Sequence, residues 1–125
     1  MTEPKPFSAR ARARSFGHAW RGIVQAVKTQ HNMWLQLLIS AGAIVLGILL
    51  HLNRGDWLWL IAAIGMVIGA ELVNTAIESL CDVVSSAPHP GIAKAKDIAA
   101  GAVLVAALAA GAIGVLVFWS HLWVG

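Results

Sequence analysis

The stretch ELVNTAIESLCD, from Glu71 to Asp82, continues an apolar run that begins at Trp57 and is long enough to cross a lipid bilayer. At 100° per residue, its polar side chains fall within an arc of roughly 100°, and apolar side chains cover the rest of the helix. A carboxylate that faces lipid costs about 2.5 kcal/mol or more, so this polar stripe is expected to face protein or water. The stripe consists of Glu71, Asn74, Thr75, Glu78 and Asp82.

The composition of the chain excludes an ordinary soluble domain. Of its 125 residues, 58% are apolar and only 12% are charged, whereas soluble domains carry roughly a quarter charged residues. Three apolar stretches, at about 34–52, 57–80 and 98–123, each reach the ~20 residues that a spanning helix needs. The sequence therefore predicts an all-α integral membrane protein with three transmembrane helices. These belong to a single domain, residues 9–125, which follows a disordered N-terminus at residues 1–8.

Orientation is predicted from Lys and Arg, which are in excess on the cytoplasmic flanks of membrane helices. Six of these residues precede the first predicted span, and Lys94 and Lys96 lie between the second and the third. The loop between the first two spans contains only Arg54. This distribution places the N-terminus and the second loop in the cytoplasm, and the C-terminus outside.

Residues 9–30 are predicted to form an amphipathic helix that lies flat in the membrane interface. Its apolar side chains recur at helical spacing, and basic and polar side chains occupy the opposite face. The alternative is a helix that serves only as a basic anchor on anionic lipid. The apolar face contains Phe16, Trp20, Ile23, Val24 and Val27, and the polar face contains Arg14, His18, Arg21, Gln25 and Lys28.

Depth along the second span distinguishes two of the carboxylates. A rise of ~1.5 Å per residue from Trp57 puts Glu71 about 21 Å and Glu78 about 31 Å from the outer surface. Glu71 is therefore expected in the inner leaflet and Glu78 at the cytoplasmic surface. Their separation of ~10 Å on one face suits two functions better than one shared metal. The role of Asp82 is left open: it is either a functional group or a solvated charge at the end of the helix.

The start of the third span contains a second pair of charged residues. Lys96 could reach a phosphate there, and the helix dipole favours an acid such as Asp97. An Asp at a helix start is, taken alone, more often a cap than a ligand. Neither a GxxxxGK[ST] nor a GxGxxG loop occurs, so any nucleotide must be held by side chains. His31, His51 and His121 are predicted to lie at the membrane interfaces without partners.

Together these segments resemble the prokaryotic membrane-embedded lipid kinases, the diacylglycerol kinase and undecaprenol kinase family. The likeness is carried by ELVNTAIESLCD and by AKDIAAGAVL from Ala95, and it extends to SFGHAWRGI from Ser15 and TQHN from Thr29. It implies a homotrimer in the bacterial inner membrane, with a surface helix and three transmembrane helices in each subunit. The implied reaction transfers the γ-phosphate of ATP, with Mg²⁺, to a membrane lipid alcohol. No nucleic-acid partner is expected.

The resemblance also implies roles for single residues. Glu71 is the general base on the lipid hydroxyl, and Asn74 supports the reacting centre. Glu78 is a ligand of the magnesium bound to ATP. Lys96 and Asp97 match the nucleotide-binding pair.

Further roles fall on the surface helix and the second loop. His89 matches a loop position near the nucleotide, and His18 falls where an aromatic side chain often contacts adenosine. Gln30 corresponds to the second metal-binding acid of the family and is kept as an ATP and metal ligand, although its amide lacks the charge. Trp20 and Asp82 are assigned to substrate binding or support.

The substrate and the function class have alternatives. Undecaprenol is favoured over diacylglycerol because TQHN and HPGIAKAKDIAAGAVL look more like the undecaprenol kinases. A different class is a small transporter with Glu71 as its coupling site, and a third is a non-catalytic assembly protein. Against transport, a cytoplasmic Lys96–Asp97 pair would have no obvious role.

Overall fold

The computed structural model describes residues 3–123 and consists of four α-helices. They are α1 (Ala9–Thr29), α2 (His31–Leu49), α3 (Arg54–Val84) and α4 (Pro90–Trp123). Residues 3–8 form no regular secondary structure. Met1 and Thr2, in the segment predicted to be disordered, lie outside the described residues, as do Val124 and Gly125 at the end of the predicted domain.

Helix α1 is joined to α2 by a single residue. Ser8 caps the start of α1, because its hydroxyl accepts a hydrogen bond from the backbone N–H of Ala11 at 3.3 Å. At the other end, Gln30 adopts an extended conformation with φ −116° and ψ 117°, and α2 begins at the next residue. The side chains of Phe16 and Trp20 on α1 are exposed.

The turn between α2 and α3 shows why the first apolar helix ends at Leu49. His51 has a φ of 54°, in the left-handed region that polar residues tolerate better than β-branched ones. The backbone N–H groups of His51 and Leu52 donate to the carbonyls of Ile48 and Gly47, which completes a Schellman motif. Residues 50–52, predicted within the first span, therefore form the turn.

Gly47 allows the turn to pack closely against α2. A Cβ atom at this position would lie 2.9 Å from Leu52 Cδ1 and 2.9 Å from Trp57 Cη2. Leu52 belongs to a small buried cluster with Leu60 of α3 and Val117 of α4. This cluster holds the start of α3 against both neighbouring helices.

Helices α3 and α4 form the main antiparallel pair of the bundle. The buried residues of α3 recur three, four or seven positions apart, which places them on one side of the helix. They are Leu60, Ala63, Val67, Glu71, Asn74 and Cys81. On α4, the buried positions are Ala99, Ala106 and Val117.

Three of the four helices, α2, α3 and α4, are long and apolar enough to cross a membrane by length and composition. Many of their large apolar side chains are exposed. Leu38, Leu104 and Leu116 are exposed to 71%, 59% and 76%. Contiguous apolar surface of this kind is unusual for a protein in water and is what lipid-facing helices present.

Candidate functional site

Glu71 lies in the middle of α3 and is the most deeply buried charged residue described, with 1% of its surface exposed. Asn74, one turn further along the same side of the helix, is 8% exposed. Neither Glu71 Oε2 nor Asn74 Oδ1 has a hydrogen-bond partner among the described residues. Buried polar oxygens are normally paired, so these two unpaired oxygens make this part of α3 a candidate site.

Glu78 follows two turns after Glu71 and is half-buried. No described side chain forms an ion pair with it. The stripe predicted from the sequence thus runs from a buried acid at Glu71 through a half-buried one at Glu78 to an exposed one at Asp82. Thr75, within the stripe, donates its hydroxyl to the backbone carbonyl of Glu71 at 2.9 Å.

Asp82 and Lys96 connect the ends of α3 and α4. Lys96 Nζ donates to Asp82 Oδ1 at 2.9 Å, and the two side chains are 38% and 70% exposed. They line an open cavity of about 820 Å³ together with the loop between the helices, including Ser85 and His89. This cavity is large enough for a nucleotide, since ligand pockets generally measure ~300–1,000 Å³. Asp97, the neighbour of Lys96, is exposed.

The loop between α3 and α4 is ordered by two of its own side chains. Ser85 Oγ accepts from the backbone N–H of Ala87 at 3.2 Å and donates to the carbonyl of the same residue at 3.1 Å. His89 Nδ1 accepts from the backbone N–H of Gly91 at 3.0 Å. Sequence reasoning did not single out Ser85, although a serine beside the end of a helix is a common signal for such a turn.

The predicted site residues of α1 lie apart from this cavity. His18 Nδ1 accepts a hydrogen bond from Arg21 Nη2 at 2.7 Å, and Trp20 is 67% exposed. Gln30 is half-buried and its side chain does not cap α2. Within residues 3–123, no hydrogen bond or ion pair links His18, Trp20 or Gln30 to the acids of α3.

A groove of about 420 Å³ separates α1 from α3 beside these acids. Its polar lining consists of Gln25 from α1 and of Thr75 and Ser79 from α3. The two α3 residues flank Glu78 in the sequence. Gln25 was predicted only as part of the polar face of α1.

A magnesium ion would have few protein ligands in a single chain. The described residues contain no group of three or more His, Cys, Asp or Glu side chains that could hold a metal. Magnesium is nonetheless commonly bound by one or two carboxylates, with the phosphates of the substrate and water completing its shell. The Glu78 carboxylate, which forms no ion pair with a described residue, is a hard oxygen donor that fits this pattern.

The end of the bundle opposite the cavity contains a hydrogen bond between helices that the sequence did not predict. His121 Nε2 lies 2.9 Å from Asp56 Oδ2, and both side chains are 25% exposed. The expectation that His121 has no partner is therefore wrong. The pair joins the first turn of α3 to the last turn of α4. The sequence around Asp56 or around His121 does not indicate which residue on the other helix will be its partner.

Comparisons with known proteins agree on one family. The family model described as prokaryotic diacylglycerol kinase matches residues 17–118. The undecaprenol kinase of Bacillus subtilis is 37% identical over 84% of this chain and 85% of its own length. The diacylglycerol kinase of Synechocystis is 40% identical over 80% of this chain, but the match covers 58% of that longer protein. The diacylglycerol kinase of Escherichia coli is 27% identical over 86% of this chain.

Proposed function

The chain belongs to the prokaryotic diacylglycerol kinase family and is a lipid kinase, and from this premise we propose that the lipid alcohol it phosphorylates is undecaprenol. The observation that carries the proposal is the 37% identity to an undecaprenol kinase over 85% of that protein. Membership of a kinase family decides against both the transporter and the assembly protein that the sequence alone left open.

Diacylglycerol is the second candidate substrate. It is favoured by the 40% identity to the Synechocystis diacylglycerol kinase, although that relative extends well beyond the matched region. The two lipids share a primary hydroxyl at the membrane surface and differ in the chains behind it, which are isoprenoid in one and acyl in the other. The same catalytic groups therefore serve either substrate, and selectivity must come from the apolar surroundings.

A direct comparison of the two lipids tests the proposal. Purified protein in mixed micelles, given labelled ATP, is expected to phosphorylate undecaprenol with a kcat/KM at least about tenfold higher than diacylglycerol, equivalent to ~1.4 kcal/mol in the transition state. Farnesol, a short isoprenoid alcohol, serves as a control for chain length. A preference for diacylglycerol would replace undecaprenol with the second candidate.

We place the protein in the bacterial inner membrane with the N-terminus and the loop between α3 and α4 in the cytoplasm. Most of the Lys and Arg residues lie on these flanks. The pairs Asp56–His121 and Asp82–Lys96 are 26 residues apart along α3, from position 56 to position 82, or about 39 Å. A bilayer with its headgroups is ~40–45 Å thick, so both pairs reach a polar surface.

In the proposed reaction, Glu71 accepts the proton of the lipid hydroxyl, and Asn74 orients the reacting groups. The depth of Glu71 supports this role, because a rise of ~1.5 Å per residue puts it about 21 Å along α3 from Trp57, within the membrane that holds the lipid. Lys96 and Asp97 bind the nucleotide. Lys96 and His89 line the cavity, and Asp97 is the exposed residue next to Lys96 on α4. Magnesium, when bound through Glu78, would neutralise charge on the phosphates that are transferred.

We further propose that the protein is a homotrimer in which α1 lies on the membrane surface as an amphipathic helix. The resemblance described above implies both features. The exposed apolar side chains of Phe16 and Trp20 support the second feature, because a helix with such a face can lie in the membrane interface. We assign adenosine contact to His18 and substrate support to Trp20 and Asp82.

The role of Gln30 can be tested by restoring the charge that the family's second metal-binding acid carries. The Gln30 side chain makes no capping hydrogen bond to α2, so the change to Glu breaks none. If Gln30 lies at the metal, we expect Gln30→Glu to lower the magnesium concentration for half-maximal activity by about fivefold, since a unit charge pair at 4 Å contributes ~1 kcal/mol in water.

Asn32→Glu is the matched control for this experiment, because it adds the same charge at an exposed position of the first turn of α2. A magnesium titration of the parent and both variants gives the comparison. Equal shifts in both variants would mean that the charge acts through the general field and that Gln30 is not a metal ligand.

A further inference from the structure

His89 stands directly before α4 and makes the two hydrogen bonds of an N-cap residue. Its backbone carbonyl accepts from the N–H of Ala93 at 3.0 Å, the first hydrogen bond of the helix. Its imidazole Nδ1 accepts from the N–H of Gly91 at 3.0 Å, one of the donors that a helix start leaves without a partner. Histidine is not among the preferred N-cap residues, so this use of the ring is unusual.

The residues that follow His89 suit this arrangement. Pro90 occupies the first helical position, where its missing N–H is not needed, and it biases the preceding residue toward an extended backbone. Gly91 leaves room for the ring, because a Cβ atom there would lie 3.2 Å from both Nδ1 and Cε1 of His89. The HPG segment therefore builds a site for the imidazole as well as the start of a helix.

The cap is connected to the nucleotide residues through the geometry of α4. Lys96 lies seven residues after His89, which is two turns and about 10 Å along nearly the same face. Both residues line the cavity of about 820 Å³, whose other charged group is Asp82 of α3. The point at which α4 begins therefore determines where Lys96 and Asp97 stand relative to the loop.

We propose that His89 is a positioning residue: its imidazole caps α4 through Nδ1, fixes the first turns of the helix, and thereby places Lys96 and Asp97 for the nucleotide. The proposal rests on the proposed function of these two residues in ATP binding. With Nδ1 engaged by Gly91, the neutral ring carries its proton on Nε2, the nitrogen left for contact with the cavity. Another residue that accepts a hydrogen bond from the Gly91 N–H could replace this capping bond, but it could not replace a contact made by Nε2.

Two substitutions of His89 separate capping from direct contact. Asn is among the best N-cap residues and can accept from the Gly91 N–H, whereas Ala cannot. We expect His89→Ala to raise the KM for Mg-ATP by up to about 30-fold, with kcat within about twofold. The upper value corresponds to the largest loss of helix stability that removal of an N-cap generally causes. His89→Asn is expected to recover most of the loss that His89→Ala causes, because it restores the capping bond to Gly91.

Amide hydrogen exchange at Gly91, measured on the purified protein without ATP or lipid, is the second readout. Exchange should accelerate by about 2- to 30-fold in His89→Ala and remain near the parent rate in His89→Asn. Since this measurement needs no activity, it tests the cap even if the proposed kinase reaction were to fail. If His89→Asn protects Gly91 but raises KM as much as His89→Ala, His89 acts by direct contact and the proposal is overturned.

Gly91→Ala tests the cap without changing His89. The added methyl group should displace the ring and raise KM in the same way as His89→Ala, although Gly-to-Ala changes inside a helix ordinarily stabilise it. Gly42→Ala on α2 is the control, because no described atom beyond the adjacent residues and backbone of α2 itself lies within 4 Å of the added Cβ. Two results together would show that the ring does not hold the helix. These are a KM for Gly91→Ala equal to that of the parent, and a Gly91 exchange rate that His89→Ala leaves unchanged.

Discussion

Glu71→Gln is expected to abolish lipid phosphorylation while nucleotide binding and assembly remain nearly intact. The amide keeps the shape of the carboxylate and much of its hydrogen bonding, but it cannot accept the proton of the lipid hydroxyl. General-base catalysis contributes typically ~10²- to 10⁴-fold, so turnover should fall by at least about a hundredfold. The variant should be at least as stable as the parent, because a charge within the membrane costs ~2.5 kcal/mol or more.

The measurement pairs lipid phosphorylation with the binding of a non-hydrolysable ATP analogue on the same folded preparation. Thr75→Val is the matched control, since it removes a polar group from the same stripe whose hydroxyl bonds only to the helix backbone. Survival of phosphorylation within about tenfold would rule out Glu71 as the base. Loss of analogue binding would instead place Glu71 at the metal and end the separation of roles between Glu71 and Glu78.

Glu78→Gln is expected to weaken magnesium binding rather than proton transfer. A hard cation prefers charged oxygen ligands, and the half-buried Glu78 carboxylate forms no ion pair with a described residue. Mutation of groups that only support metal ligands costs 10- to 100-fold in affinity, so loss of a ligand should raise the required magnesium concentration by at least about tenfold.

A magnesium titration at saturating lipid checks this expectation, with Glu3→Gln as the control that removes an equal charge from the N-terminal segment. The drop in activity of Glu78→Gln should be partly recovered at high magnesium, which distinguishes it from the drop in Glu71→Gln. Parent-like kinetics across the titration would remove Glu78 from the metal site.

The helices of this protein could be predicted from sequence because their signal is local. Apolar runs of ~20 residues indicate spanning helices whatever their neighbours, and all three predicted spans correspond to helices long enough to cross a membrane. The polar side of α3 was likewise visible in the spacing of Glu71 and Asn74, which the structure buries together. Helix ends were less predictable, because α4 begins at Pro90, eight residues before the apolar run.

The contacts between helices could not be predicted, because they depend on how each helix is rotated and placed against the next. Nothing in the sequence pairs Asp82 with Lys96 or Asp56 with His121, since fourteen and sixty-five residues separate the partners. The cap at His89 did leave a local signal. A residue before Pro-Gly is a common helix start, but His is rarely considered as the capping residue.

The Asp82–Lys96 ion pair and the Asp56–His121 hydrogen bond lie at opposite ends of α3 and α4. Asp56 and Asp82 are 26 positions apart on one helix, and Lys96 and His121 are 25 apart on the other, so both pairs close in the same antiparallel register. A shift by one helical turn moves one helix ~5.4 Å and breaks both pairs together. The two pairs therefore mark one register of α3 and α4, the register in which Glu71 and Asn74 are buried.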